Sequence, residues 1–165
     1  MESLLIPYLS YKLNSNDISI DPLYINKGSN GIVYKGIYNN TAVIIKELLN
    51  DPDNTDIFEY WEDCYPELDI YSKVQQIETS CKYYGFIYKN HTIYLVLHDY
   101  NIYENLYQSI SNPRHTLQNK DINIIILQLV DYIEQLQGLN IVHGDLKLSN
   151  MCIIPESLKL IVFDY

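Results

Sequence analysis

The apolar residues change their spacing partway along the chain, and this change restricts the fold more than any single motif. Up to about residue 97, short runs of β-branched and aromatic residues alternate with turn signals. Leu23-Tyr24-Ile25 precedes a Gly-bearing turn, and residues 31–38 read as a strand. Asn39-Asn40 is a hairpin signal, and residues 41–46 form the return strand. A helix is predicted to start at Pro66, with Glu67, Ile70, Tyr71 and Val74 on one face. A second hairpin follows, with Phe86-Ile87-Tyr88 and residues 92–97 around Asn90-His91.

After residue 100 helical patterns lead. Residues 102–110 read as a short helix stopped by Asn112-Pro113. Asp121 is placed to cap a long helix over 122–137, apolar over most of its circumference and so expected to be buried. Gly138 is its expected C′ terminator. The tail is strand-like at Ile141-Val142, 151–154 and 158–163, with a turn at Pro155-Glu156-Ser157. This order predicts an α+β fold in two lobes.

The composition excludes several classes. At 165 residues, with 47% hydrophobic and 19% charged side chains, the chain suits one folded domain and not a disordered segment. Eleven basic against 21 acidic residues give a net charge of −10. That balance argues against a nucleic-acid or anionic-membrane footprint. Cys64, Cys81 and Cys152 show no zinc-ligand spacing and fit reduced, intracellular thiols. The N-terminus does not read as a signal peptide, and no apolar run approaches a spanning helix. A cytoplasmic chain is expected. The 17 tyrosines fit an AT-rich coding bias better than a chemical role.

Three groups of residues carry chemistry. Gly28 and Gly31 lie in the first hairpin, where backbone N–H groups can approach a phosphate without Cβ interference. Plain turn glycines would look the same. Lys46 ends the apolar run Val43-Ile44-Ile45-Lys46. A buried lysine needs a partner, and Glu67, on an apolar helix stripe, needs a cation. Glu62 is a rival partner. The bland alternative is a lysine snorkelling at a strand end and a glutamate near a helix N-terminus. The third group is His143-Gly144-Asp145-Leu146-Lys147-Leu148-Ser149-Asn150. It supplies a carboxylate, a phosphate-neutralising ammonium and an amide oxygen for a hard cation. Asp164 follows the apolar strand Leu160-Ile161-Val162-Phe163, as a second cation ligand would.

In this order the residues resemble the eukaryotic-type protein kinase family. Its G-x-G-x-x-G-x-V loop corresponds to residues 26–33, with Asn26 in place of the first glycine. Its V-A-I-K lysine corresponds to Lys46, its αC glutamate to Glu67, and its H-R-D-L-x-x-x-N loop to residues 143–150. The resemblance implies Ile25, Asn26, Gly28, Ser29, Gly31, Val33, Lys46 and Glu67 as cofactor-binding residues. It makes Asp145 and Lys147 catalytic and gives Asn150 and Asp164 to metal. The implied cofactors are ATP and Mg²⁺. The implied reaction is Ser/Thr-type phosphoryl transfer to a protein substrate. A kinase-like module that binds ATP or regulates another kinase, and an inert fragment, are the alternatives.

Gly144 stands where the family has Arg, so control through activation-loop phosphorylation is not expected. His-Gly-Asp together with Asp164-Tyr165 looks like the vaccinia-related and poxviral branch. It also looks like small atypical kinases with a His-Gly-Asp loop, but the well-formed Gly loop favours the first group. Because residues 164–165 precede the glycine of D-F-G, the expectation is a truncated kinase-like domain over 1–165. Its N-lobe is expected over about 20–97 and the start of its C-lobe over 98–165.

Overall fold

The computed structural model describes residues 6–28, 31–49, 57–112 and 117–164. They form two compact units. The first comprises residues 1–72 and 82–99, and the second 73–81 and 100–165.

The first unit is a five-stranded antiparallel sheet with one long helix. Its strands are β1 (Ile18–Gly28), β2 (Gly31–Tyr38), β3 (Thr41–Glu47), β4 (Tyr83–Lys89) and β5 (Thr92–His98), in the spatial order β1-β2-β3-β5-β4. Both tight hairpins have two consecutive residues at positive φ: Asn39 at 48° and Asn40 at 60°, then Asn90 at 53° and His91 at 64°. That geometry matches the twist of the flanking strands, and Asn tolerates it. Val43, Ile45 and Val96 are fully buried on one sheet face, under Tyr34, Tyr38 and Tyr94.

Helix α1 (Ile57–Val74) begins well before the predicted start, and Pro66 lies inside it. Proline there cannot donate to the Glu62 carbonyl, a loss of about 3 kcal/mol in a helix interior. Tyr60, Cys64, Leu68 and Tyr71 form one stripe on both sides of it, each no more than 3% exposed. Burying four such side chains at roughly 1.5–3 kcal/mol for a large one outweighs the proline. The Tyr60 hydroxyl fastens this stripe to the sheet, donating to Leu48 O at 3.2 Å and accepting from Ile93 N at 2.7 Å.

The second unit contains α2 (Leu106–Ser111), α3 (Asn119–Gly138) and a two-stranded sheet of β6 (Met151–Ile154) and β7 (Lys159–Val162). Helix α2 starts later than expected because Asn105 and Gln108 close a reciprocal capping box. In α3, Asp121 is not the cap itself. It sits in the first turn and accepts from the Gln118 N–H at 2.9 Å. Gly138 is the last helical residue, and Asn140 at φ 56° takes the left-handed position expected of it. Ile141-Val142 forms no strand.

Burial of α3 is narrower than its composition suggested. Only Ile125, Tyr132 and Leu136 are buried, while Ile122, Ile124, Ile126, Leu127 and Val130 are exposed. The helix touches the small sheet along one side, where Gln128 donates to Leu158 O at 2.8 Å and accepts from Leu160 N at 3.0 Å. The segment after α1 finishes the same strand. Val162 N donates to Thr79 O and Cys81 N donates to Val162 O, both at 2.8 Å. Cys64, Cys81 and Cys152 are buried and outside any disulfide. Burial pushes Cys64 up to about 12 and Cys152 up to about 11, so neither is a nucleophile at neutral pH. Among the described residues no helix is long and apolar enough to cross a membrane.

Candidate active site

In the first unit, strand alternation turns Lys46 away from Val43 and Ile45 and opposite Leu95 on β5. Lys46 is only 7% exposed, a position that requires a partner. Its Nζ donates to Glu67 Oε1 at 2.7 Å. Glu67 reaches it because it lies one turn beyond Cys64 and beside Leu68 on the sheet-facing stripe of α1. Glu62, the rival partner, is exposed. Breaking such a pair from one side leaves a poorly solvated charge, at a cost of about 3–5 kcal/mol.

The glycine hairpin joins β1 to β2, with Asn26 opposite Val33 and Gly28 opposite Gly31. Ser29 and Asn30 at its tip lie outside the described residues. The two glycines differ in what they require. A Cβ on Gly31 would meet Glu47 O at 2.6 Å, so its lack of a side chain serves the packing of β2 on β3. A Cβ on Gly28 would meet nothing within 4 Å. Among the described residues nothing gives a steric reason for glycine there. Ile25 stands half-exposed on β1 beside Asn26.

In the second unit, the loop after α3 is built around His143, which is 6% exposed and packs edge-on against the buried Tyr132 ring. Burial pushes the His143 imidazole below its ordinary range, against an opposing pull from hydrogen bonds to the backbone of His143 and Phe163. Gly144 has φ 79°, which lets the chain turn so that Asp145 emerges exposed. The Lys147 Nζ donates to Asp145 Oδ2 at 2.6 Å. Asn150, buried at the end of a 3-10 turn over Leu148–Asn150, donates from Nδ2 to Asp145 O at 3.1 Å and to Asp145 Oδ2 at 3.0 Å. The Lys147 hydrogen bond, aided by that from Asn150, holds the Asp145 carboxyl below the ordinary carboxylate range.

With its nitrogen committed to Asp145, the group that Asn150 could offer to a cation is its amide oxygen. The Asn150 backbone O accepts from Phe163 N at 3.0 Å, which ties the loop to the end of β7. One residue on, Asp164 is exposed at φ 64°. Its negative charge also pulls the His143 imidazole upward. A carboxylate and an amide oxygen are the donors that a hard divalent cation takes. Sequence reasoning missed Gln128, whose role depends on a contact 30 residues away and leaves no local signal.

A family model described as Protein kinase domain matches residues 24–165. A relative from Dictyostelium discoideum, named "Probable serine/threonine-protein kinase fnkB", is 27% identical over 136 residues. The match covers 82% of this chain but spans only 23% of that relative's length. From its residues, its two units and this match, the chain belongs to the protein kinase domain family.

Proposed function

We propose that the chain carries the chemistry of a Ser/Thr-type protein kinase, moving the γ-phosphate of ATP to a protein hydroxyl. The observation that carries this reading is the Asp145–Lys147–Asn150 cluster, closed by hydrogen bonds of 2.6, 3.0 and 3.1 Å. Phosphoryl transfer depends mainly on positioning and charge stabilisation, and these three groups supply both. Asp145, held below the ordinary carboxylate range, is a weak base. It therefore suits orienting the attacking hydroxyl more than removing its proton early. Lys147 brings positive charge to the transferring group.

Asn150 and Asp164 would hold Mg²⁺, which when bound neutralises phosphate oxygens. Lys46, fixed by Glu67, would hold the nucleotide phosphates, and Ile25, Asn26, Gly28, Ser29, Gly31 and Val33 would line the nucleotide. The open space at Gly28 supports that assignment. On this reading residues 20–97 form the N-lobe and residues 98–165 belong to the C-lobe.

The likeness to the vaccinia-related and poxviral branch rests on His143-Gly144-Asp145 with Asp164-Tyr165 and on the well-formed Gly loop, and the backbone bears on one of these positions, Gly144. At φ 79° that position disfavours any side chain, arginine included. An intracellular, cytoplasmic setting is consistent with three buried cysteines outside any disulfide. The partner is a protein that offers Ser or Thr.

The test is transfer of labelled γ-phosphate from Mg-ATP to basic Ser/Thr-containing protein and to the chain itself, with Asp145→Asn as control. The expected result is a loss of about 100-fold or more, the scale of a positioned acid–base group. Equal transfer by the variant would remove the catalytic reading.

A further inference from the structure

One side of α3 is apolar and exposed. Ile122, Ile126 and Val130 follow one another at four-residue spacing, and the half-buried Ile133 continues the line. Leu127 stands beside this line and is 69% exposed. The residues that α3 buries, Ile125, Tyr132 and Leu136, lie about 100° around its axis from Ile126. The exposed line is therefore a second apolar face, separate from the one that packs in the core. A contiguous exposed apolar surface marks an interaction site.

Charge is placed along one edge of that line. Lys120 lies seven residues before Leu127, and Glu134 lies seven residues after it. Seven residues are close to two full turns, so the three share one flank over about 21 Å. Both charged side chains are exposed. Neither has an opposite charge three or four positions away on its own helix. One positive and one negative charge at equal distances from a central leucine do not select a partner of a single sign. They match a second copy of the same helix running the other way. Antiparallel α3 helices centred at Leu127 set Lys120 of each copy opposite Glu134 of the other. Parallel helices would set lysine against lysine and glutamate against glutamate.

We propose that this face of α3 is a self-association surface, on which two copies of the chain pair through antiparallel α3 helices across a two-fold axis at Leu127. A two-fold contact must be self-complementary, and the flank has that property. Flanking charges of this kind set the orientation of paired helices. In the pair, Ile122 of one copy packs near Ile133 of the other, Ile126 packs near Val130, and the two Leu127 side chains meet. Three helical turns bury less than the roughly 800 Å² per partner of a standard interface, so a weak dimer with a Kd of about 10–100 µM is expected. The surface lies in the second unit and includes none of Asp145, Lys147 and Asn150, so the inference stands apart from the kinase reading.

The test is sedimentation equilibrium of the full chain at about 1–500 µM in about 0.15 M salt, where charges beyond about 8 Å are screened. The parent chain is expected to shift from monomer to dimer and no further. Leu127→Glu sets two carboxylates together at the axis and should raise the dissociation constant by about 100-fold or more. Lys120→Glu and Glu134→Lys should each weaken the dimer several-fold. Mixed in equal amounts, these two variants should form a heterodimer, because each supplies the charges that the other lacks. The double variant Lys120→Glu/Glu134→Lys should dimerise like the parent chain.

Lys120 and Glu134 are exposed, so should Leu127→Glu fail to fold, the charge variants and their mixture decide. A parent chain that stays monomeric throughout overturns the inference. A dimer that a folded Leu127→Glu leaves unchanged lies on another surface and also overturns it. Failure of the mixture to associate more tightly than either variant alone overturns the antiparallel pairing and with it the proposal.

Discussion

His143 is a buried imidazole whose environment favours the neutral ring, and this makes stability depend on pH in a definite direction. A base whose folded value lies below its unfolded value of 6.5 binds fewer protons in the folded state. Its contribution is therefore complete above pH 6.5 and is lost as pH falls from there toward the folded value. His98 is lowered in the same sense by burial, with Lys82 adding to it. Thermal unfolding midpoints should fall on acidification from pH 7.5 to 5.5 in the parent chain. The fall should be shallower in His143→Asn, and an identical slope would contradict the assignment. At this scale the sequence was informative where a residue type was costly in its setting. Lys46 on an apolar strand and Glu67 on an apolar helix face each called for an opposite charge, and the structure pairs them with each other and not Lys46 with Glu62. Tyr8 carried no such signal, because a tyrosine among 17 is unremarkable until Asp69 is found beside it.

Among the elements, the hairpins were the most legible. Asn39-Asn40 and Asn90-His91 are local chemistry for a left-handed turn, and the flanking strands need no distant partner to be recognised. Helix α1 was misread because Pro66 is a good first residue as well as a tolerated interior one, and only tertiary burial distinguishes the two. Pro66→Ala should restore a donor to the Glu62 carbonyl. The gain is reduced because alanine leaves the unfolded chain freer. A net stabilisation of about 1–2 kcal/mol is expected in urea unfolding of the full chain. No gain would mean that the helix is already kinked to suit the proline. In α3 the apolar pattern revealed a helix but not how much of it would be covered. Composition cannot tell a face that meets β7 from one that meets water.

At the scale of the molecule, each of the two units holds a self-consistent set of groups. Lys46 with Glu67 belongs to the first, and Asp145, Lys147 and Asn150 to the second. Ligand binding to the folded chain alone must raise its stability by mass action. The rise is roughly 2.7 kcal/mol at about 100 times Kd. Mg-ATP is therefore expected to raise the unfolding temperature more than ATP without Mg²⁺, and Asp164→Ala should erase that difference. A Mg²⁺ effect that survives in Asp164→Ala would remove Asp164 from the metal set. The order of motifs along the chain was legible because each motif is short and local. The Tyr8–Asp69 contact and the Gln128 clamp were not, because each joins residues that are 30 or more positions apart.

The clamp has a consequence for behaviour in concentrated solution. Seen from outside, β7 presents its polar backbone groups at residues 158, 160 and 162. Gln128 takes the first two, while Thr79 and Cys81 take the third. An amide side chain thus stands where a neighbouring strand would, and it occupies Leu158 O and Leu160 N on that edge of β7. Gln128→Ala should uncover part of that edge. Its signature would be association beyond the dimer that grows with protein concentration in analytical ultracentrifugation and is absent from the parent chain.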